Sequence, residues 1–163
     1  MSNPRIDRYV EAFEQLCPDS LDRLVALFGE QARFVDPFND VRGRVAIRAV
    51  FGHMFSQCES PRFRVTERVA DGEVCYLRWT FTFGSGRRQR SIDGVSRVRF
   101  GADDLVEEHF DYWDPAAQLY ESIPLLGGML RLLRRRLSAG RARPHPPQSS
   151  HRDTSITTER FEQ

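Results

Sequence analysis

At Pro61 the spacing of apolar residues changes from three or four positions to two, and that switch constrains the fold more than any other feature. Phe63, Val65 and Val69 alternate with Arg62, Arg64 and Arg68; Cys75, Leu77, Trp79, Phe81 and Phe83 then alternate with Tyr76, Arg78, Thr80 and Thr82. Successive side chains on a strand point to opposite faces, so this text specifies strands with one apolar face. Asp71-Gly72 is a hairpin signal between the two runs, and Gly84-Ser85-Gly86 marks the next turn. Strands are expected over Gln89–Phe100 and Leu105–Trp113, joined at Gly101-Ala102-Asp103-Asp104.

Upstream of Pro61 the text is helical. Pro4 suits a first helical position with Asn3 as its cap, and Ile6, Tyr9, Val10, Phe13, Leu16 and Cys17 share one face. A second helix follows Pro18 and Asp19, with Leu21, Leu24, Val25 and Phe28 inward and Gly29 as its stop. Ala32 to Val35 reads as a short strand, and the proline of Asp36-Pro37 ends its pairing. A third helix after Gly43 carries Ile47, Val50, Phe51, Met54 and Phe55 on one side. Three helices followed by an antiparallel meander predict an α+β domain, the helices lying on one face of a curved sheet.

The length of 163 residues fits one domain, placed at residues 3–137, and a tail over 138–163. Past Leu137 the chain is Ser, Ala, Gly, Arg, Pro, His and Gln text with almost nothing to bury, so the tail is expected to be disordered. No apolar run approaches the length of a membrane span, and the polar start leads directly into an amphipathic pattern. Cys17, Cys58 and Cys75 show neither CxxC spacing nor an even count, which suits free thiols in the cytoplasm. With 24 basic and 23 acidic residues the balance carries no nucleic-acid footprint. Every basic residue is arginine, a bias that a GC-rich genome imposes and that says nothing of function.

The run Ala32-Arg33-Phe34-Val35-Asp36-Pro37-Phe38, then Val41-Arg42-Gly43-Arg44 and an amphipathic helix, resembles the ketosteroid isomerase and SnoaL-like group of the nuclear transport factor 2-like superfamily. Arg8-Tyr9-Val10-Glu11 and the stretch from Arg97-Val98-Arg99-Phe100 to Tyr112-Trp113 extend the likeness over about residues 4–115. The resemblance implies a cone-shaped α+β fold around an apolar cavity. It also implies roles. Asp36 stands where the isomerases have their general base, Tyr9 where they have an oxyanion donor, and Ser96 where they have a second donor, a protonated aspartate. Trp113 matches a cavity tryptophan, and SnoaL-like cyclases place a catalytic aspartate late in the sheet, where Asp111 is the nearest candidate. Phe34 and Phe38, flanking Asp36, complete the substrate-binding candidates with Ser96 and Trp113. Homodimers are common in the group.

The residues themselves leave choices open. Asp36 reads either as a base or as an Asp-Pro turn residue bonding nearby backbone N–H groups. Tyr9 reads either as a donor or as a core residue of the first helix. Glu107, His109, Asp111 and Trp113 share one face by the two-residue period, so His109 and Asp111 can meet directly. They read as a pocket pair, an oriented imidazole and its carboxylate, or as a satisfied polar pair at the sheet edge. His53 falls off the apolar face of its helix and is expected in solvent. No spacing resembles a metal site, a phosphate loop or a Gly-x-Ser-x-Gly nucleophile.

Over residues 123–137, Leu126, Met129, Leu130, Leu133 and Leu137 form a stripe, and Arg134-Arg135-Arg136 complements the end of a helix. This C-terminal amphipathic helix is expected to cap the mouth of the cone rather than to pack across a dimer or lie on a membrane surface. The function expected is cofactor-independent isomerase, cyclase or hydratase chemistry on a largely apolar carbonyl compound. The alternative is a non-catalytic ligand-binding or protein-interaction module of the same fold.

Overall fold

A computed structural model describes residues 3–118. The helix expected over 123–137 and the tail expected over 138–163 lie outside the described residues. Three α-helices, α1 (Pro4–Glu14), α2 (Leu21–Val25) and α3 (Arg44–Gln57), pack on a curved six-stranded sheet, and a single turn, α4 (Pro115–Gln118), follows it. The strands are β1 (Phe28–Val35), β2 (Asp40–Arg42), β3 (Arg62–Asp71), β4 (Val74–Phe83), β5 (Arg90–Phe100) and β6 (Val106–Tyr112). Their order across the sheet is β2-β1-β6-β5-β4-β3.

The meander β3 to β6 follows from local text, since each strand pairs antiparallel with the next through turns rich in Gly and Asp. The first part of the sheet departs from expectation. Phe28 and Gly29 belong to β1, not to the second helix, which closes at Val25. Phe28 is fully buried there, so the core claims as strand a residue that would equally have extended the helical stripe. Pro37 does follow the end of β1, whose last residue is Val35. It sits in a four-residue turn, Asp36 to Asn39, and the chain returns as β2 against β1 through Val35↔Asp40, Phe34↔Val41 and Arg33↔Arg42. Nor is the sheet purely antiparallel: β1 lies parallel to β6 and brings Phe34 beside His109.

Two bulges re-aim side chains. In β3, Val65 pairs with Trp79 but Glu67 with Arg78, so one extra residue flips the rest of the strand. Val69 therefore turns outward beside Tyr76, 67% exposed, and Arg68 turns to meet Asp7 of α1. In β6, Val106 pairs with Phe100 but Glu108 with Arg99, which leaves Glu107 unpaired and exposed. Glu107 thus does not share the inward face of His109 and Asp111, as strict alternation predicts, and it pairs with Arg99 instead.

The core lies between the helices and the inward rows of the sheet. Tyr9 and Phe13 of α1 and Ile47 and Phe51 of α3 pack on Phe28, Phe34, Leu77, Val98 and Phe100. Gly43 begins α3 at φ +83°, a left-handed conformation that costs glycine nothing, and its N–H reaches the Ala32 carbonyl at 2.8 Å. The entry into α3 is thereby tied to β1. Among the described residues no helix is long and apolar enough to cross a membrane.

On the outer face, Glu108 bonds Arg97 at 2.9 Å and Arg99 at 3.1 Å. Arg99 first and Arg97 second draw its carboxyl down from 4.5 to about 2. A depressed folded value means the stabilisation is present above the unfolded value and is lost as pH falls from about 4.5 toward 2. These side chains are one-third exposed, so the pair should contribute roughly 0.2–1 kcal/mol. Glu108→Gln is expected to lower the urea midpoint slightly above about pH 4.5, to change little below about pH 2, and so to flatten the acid limb between them.

Candidate functional site

A chain of buried hydrogen bonds runs from α1 across the inward rows of β6, β5 and β4. The Tyr9 hydroxyl lies 2.7 Å from His109 Nδ1, and His109 Nε2 lies 2.8 Å from Asp111 Oδ1. The same Oδ1 accepts the Ser96 hydroxyl, whose oxygen in turn accepts the Trp79 indole N–H at 2.7 Å. Tyr9, His109 and Ser96 are 1%, 2% and 2% exposed. Strand geometry accounts for the middle of this chain: Ser96 pairs with Asp111 and Val98 with His109, so all four inward side chains stand in two adjacent rows.

Burial, then the charges of Asp111 and Cys75, push the Tyr9 phenol well above its ordinary value, so it keeps its proton. Its O–H donates to Nδ1, which in the neutral imidazole leaves Nε2 to carry the ring proton and donate to Asp111. The ring is clamped between Phe34, stacked at 4.8 Å, and Phe13, stacked at 5.7 Å. Tyr9→Phe removes the donor and leaves Nδ1 buried without one; a loss of about 1–3 kcal/mol is expected in urea unfolding.

Asp111 is where this chain meets open space. It lines a small space of about 30 Å³ together with Val10, Leu77, Ser96 and His109. It also lines a cavity of about 320 Å³ whose walls include Phe34, Phe51, Phe63, Trp79, Phe81 and Trp113. No buried side-chain polar atom among the described residues lacks a partner, and Oδ2 takes none of the bonds above. Oδ2 is therefore not fully buried, on a side chain that borders both spaces. One carboxylate oxygen is fixed by two donors and the other keeps its lone pairs free of protein donors.

Asp36 and Phe38 also line the larger cavity, at the turn between β1 and β2. The Asp36 carboxylate is the anchor of that turn. Oδ1 accepts the Phe38 and Asn39 backbone N–H groups, each at 2.7 Å, and the Asn39 amide bonds both oxygens at 3.0 and 2.9 Å. The structure thus brings Asp36, Asp111, Phe34, Phe38 and Trp113 around one cavity and sets His109 directly behind Asp111. Tyr9 is not on its wall, because α1 buries the phenol behind His109. Ser96 lines only the smaller space, and its proton is committed to Asp111. The two expected oxyanion donors therefore hold the His109–Asp111 pair rather than aim at a ligand. His53 is exposed and stands on the cavity wall with Gln57.

Trp79, Asn39 and Gly94 are absent from the site residues that the sequence suggests. Trp79 reads as one more apolar position of β4, yet its N–H orients Ser96. Gly94 stands opposite Trp79 in the β4–β5 register, and a Cβ there would lie 2.4 Å from the indole ring. A glycine facing an aromatic across two strands was the available signal. Beyond β6, Asp114 caps α4 through the Ala116 and Ala117 N–H groups, and the Gln118 side chain bonds both the N–H and the carbonyl of Asp93. Those bonds fix the chain that carries Trp113. Among the described residues no three His, Cys, Asp or Glu side chains come together as a metal set.

The family model for the SnoaL-like domain matches residues 6–109. The chain belongs to the SnoaL-like family. That stretch holds α1 through His109, whereas Asp111 and Trp113 fall just past it. No curated protein matches this SnoaL-like chain. Solved structures share its nuclear transport factor 2-like fold. A protein of unknown function from Exiguobacterium sp. 255-15 is 21% identical, with TM-score 0.58 over 68% of this chain and 98% of that one. A hypothetical protein with a ketosteroid isomerase-like fold from Catenulispora acidiphila DSM 44928, in complex with trimethylamine, is 14% identical, with TM-score 0.62 over 73% and 92%. TerC, co-crystallised with polyporic acid, is 15% identical, with TM-score 0.62 over 71% and 95%.

Proposed function

We propose that this SnoaL-like chain is a small-molecule enzyme of the isomerase, cyclase or hydratase kind, which moves a proton on a largely apolar carbonyl compound bound in the 320 Å³ cavity. Asp111 is the general base in this reading. The observation that carries it is the geometry of one carboxylate: Oδ1 is held by His109 and Ser96, and Oδ2 has no protein donor, on a side chain that lines an aromatic-walled cavity. Proton abstraction beside a carbonyl needs a base held at a set position within hydrogen-bond reach, and the buried chain from Tyr9 to Trp79 supplies that rigidity. His109 and Tyr9 act as positioning residues behind it. His53 and Gln57, on the cavity wall, are among the donors available to a carbonyl oxygen. The small organic molecules named with two solved structures of this fold support a ligand of that size class.

The commitment of Tyr9 to His109 and of Ser96 to Asp111 favours a second reading, a module that binds such a ligand without turning it over. The two differ in one measurement. Exchange of the α-protons of 2-tetralone for deuterium, followed by NMR with the full chain, should exceed the buffer rate and require Asp111. Binding of the ketone with exchange at the buffer rate would leave the binding module.

A further inference from the structure

We propose that the rim of this cavity is a subsite for a cationic group, an ammonium held by the Asp36 carboxylate against Phe38 and Trp113. The proposal rests on the cavity being the ligand site, as above, and adds the ligand's charge. Among the described residues the carboxyl side chains on the wall are Asp36 and Asp111, and no arginine joins them. His53 and Cys58 are the other titratable groups there, and burial raises the Cys58 thiol, which keeps it neutral.

The Asp36 carboxylate is held by its turn rather than free to swing. Its Oδ1 takes three donors, while Oδ2 takes only the Asn39 amide at 2.9 Å, which leaves room for a further donor. Beside it, Phe38 is 54% exposed, and its ring meets Trp113 edge-on at 5.4 Å and 73°. A bulky ring kept in solvent at a cavity mouth, its own backbone N–H bonded to the neighbouring carboxylate, presents an aromatic face next to a fixed negative charge. That pairing recognises ammonium groups through Coulomb attraction and the ring quadrupole together. A neutral ligand closing the rim would leave an Asp36 lone pair desolvated without a partner, and an anion would be repelled. The roles divide. Asp36 holds charge at the mouth, and Asp111 faces the reacting end.

Both tryptophans of the chain, Trp79 and Trp113, line the cavity, so intrinsic fluorescence reports its occupancy. The full chain is titrated with phenyltrimethylammonium, its neutral isostere tert-butylbenzene, and benzoate. The cation should bind about tenfold or more tightly than the isostere, and benzoate more weakly than either. Asp36→Asn, whose amide oxygen can still accept the turn's N–H groups, should bring cation and isostere within about twofold of one another. Phe38→Leu, which leaves the carboxylate in place, should weaken the cation severalfold and the isostere little. Equal affinity for cation and isostere in the unmodified chain overturns the proposal, as does a preference that survives Asp36→Asn. A preference abolished by Asp111→Asn alone overturns the rim assignment. If none of the three probes binds, the cavity is not the ligand site and the proposal falls with it. Deuterium exchange unaffected by Asp111→Asn overturns the base and leaves the titration untouched.

Discussion

Deuterium exchange into 2-tetralone is expected to fall by about 10²–10⁴-fold in Asp111→Asn, the range that loss of a positioned general base carries. The substitution is close to isosteric, and the amide oxygen can still accept from His109 Nε2 and the Ser96 hydroxyl, as Oδ1 does. Tyr9, Phe13 and Phe34 continue to fix the imidazole, so the fold should survive with a small shift in melting temperature. What disappears is a lone pair able to take a proton at the cavity wall. Asp36→Asn is the matched control, since Asp36 lines the same cavity but its carboxylate anchors the β1–β2 turn, with three of four bonds on Oδ1. Its exchange rate at saturating ketone should fall far less. Equal losses in the two variants would place the base at neither residue alone, and a larger loss in Asp36→Asn would return the role to the turn.

Gly94→Ala is expected to destabilise the protein by about 1–3 kcal/mol and to shift the tryptophan emission. The added Cβ would stand 2.4 and 2.5 Å from two carbons of the Trp79 ring, distances no side chain tolerates. The neighbour that must move is a rigid indole, not the free end of a flexible chain. Trp79 cannot shift without lengthening its 2.7 Å bond to Ser96, and Ser96 is one of the two donors that hold Asp111. Overpacking at one sheet position thus reaches the candidate base through two hydrogen bonds. Urea unfolding and emission spectra check this together. Unchanged stability with an unchanged spectrum would mean that Trp79 does not lie over Gly94 in solution.

Different parts of this protein were legible at different ranges. The strands β3 to β6 and the helices α1 and α3 were readable because their causes are local: a period of two or of three to four, and Gly, Asp or Pro at the breaks. His109 and Asp111 belong with them, since residues two apart on a strand share a face, and the structure sets them 2.8 Å apart. Where one residue was added to a strand, local reading failed. Val69 and Glu107 obey strict alternation in the text, but the bulges at Val65–Glu67 and Arg99–Phe100 send both outward.

What no window of sequence contains is pairing between distant segments. The parallel contact of β1 with β6 joins residues far apart in the chain, and only the shared core selects it. That contact turns Phe28 from helix to strand, stacks Phe34 on His109 and encloses the cavity between α3 and the sheet. The chemistry was decided at the same level. Tyr9, Asp36 and Ser96 were each visible as polar groups at meaningful positions, but a hydroxyl or carboxylate acts according to the partner it finds. Tertiary packing commits Tyr9 and Ser96 to the His109–Asp111 pair and Asp36 to its own turn. By itself the sequence determined which residues could form strands, helices and a polar inward row. The folded structure decided which lone pair was left open, because hydrogen-bond satisfaction depends on what burial brings within reach.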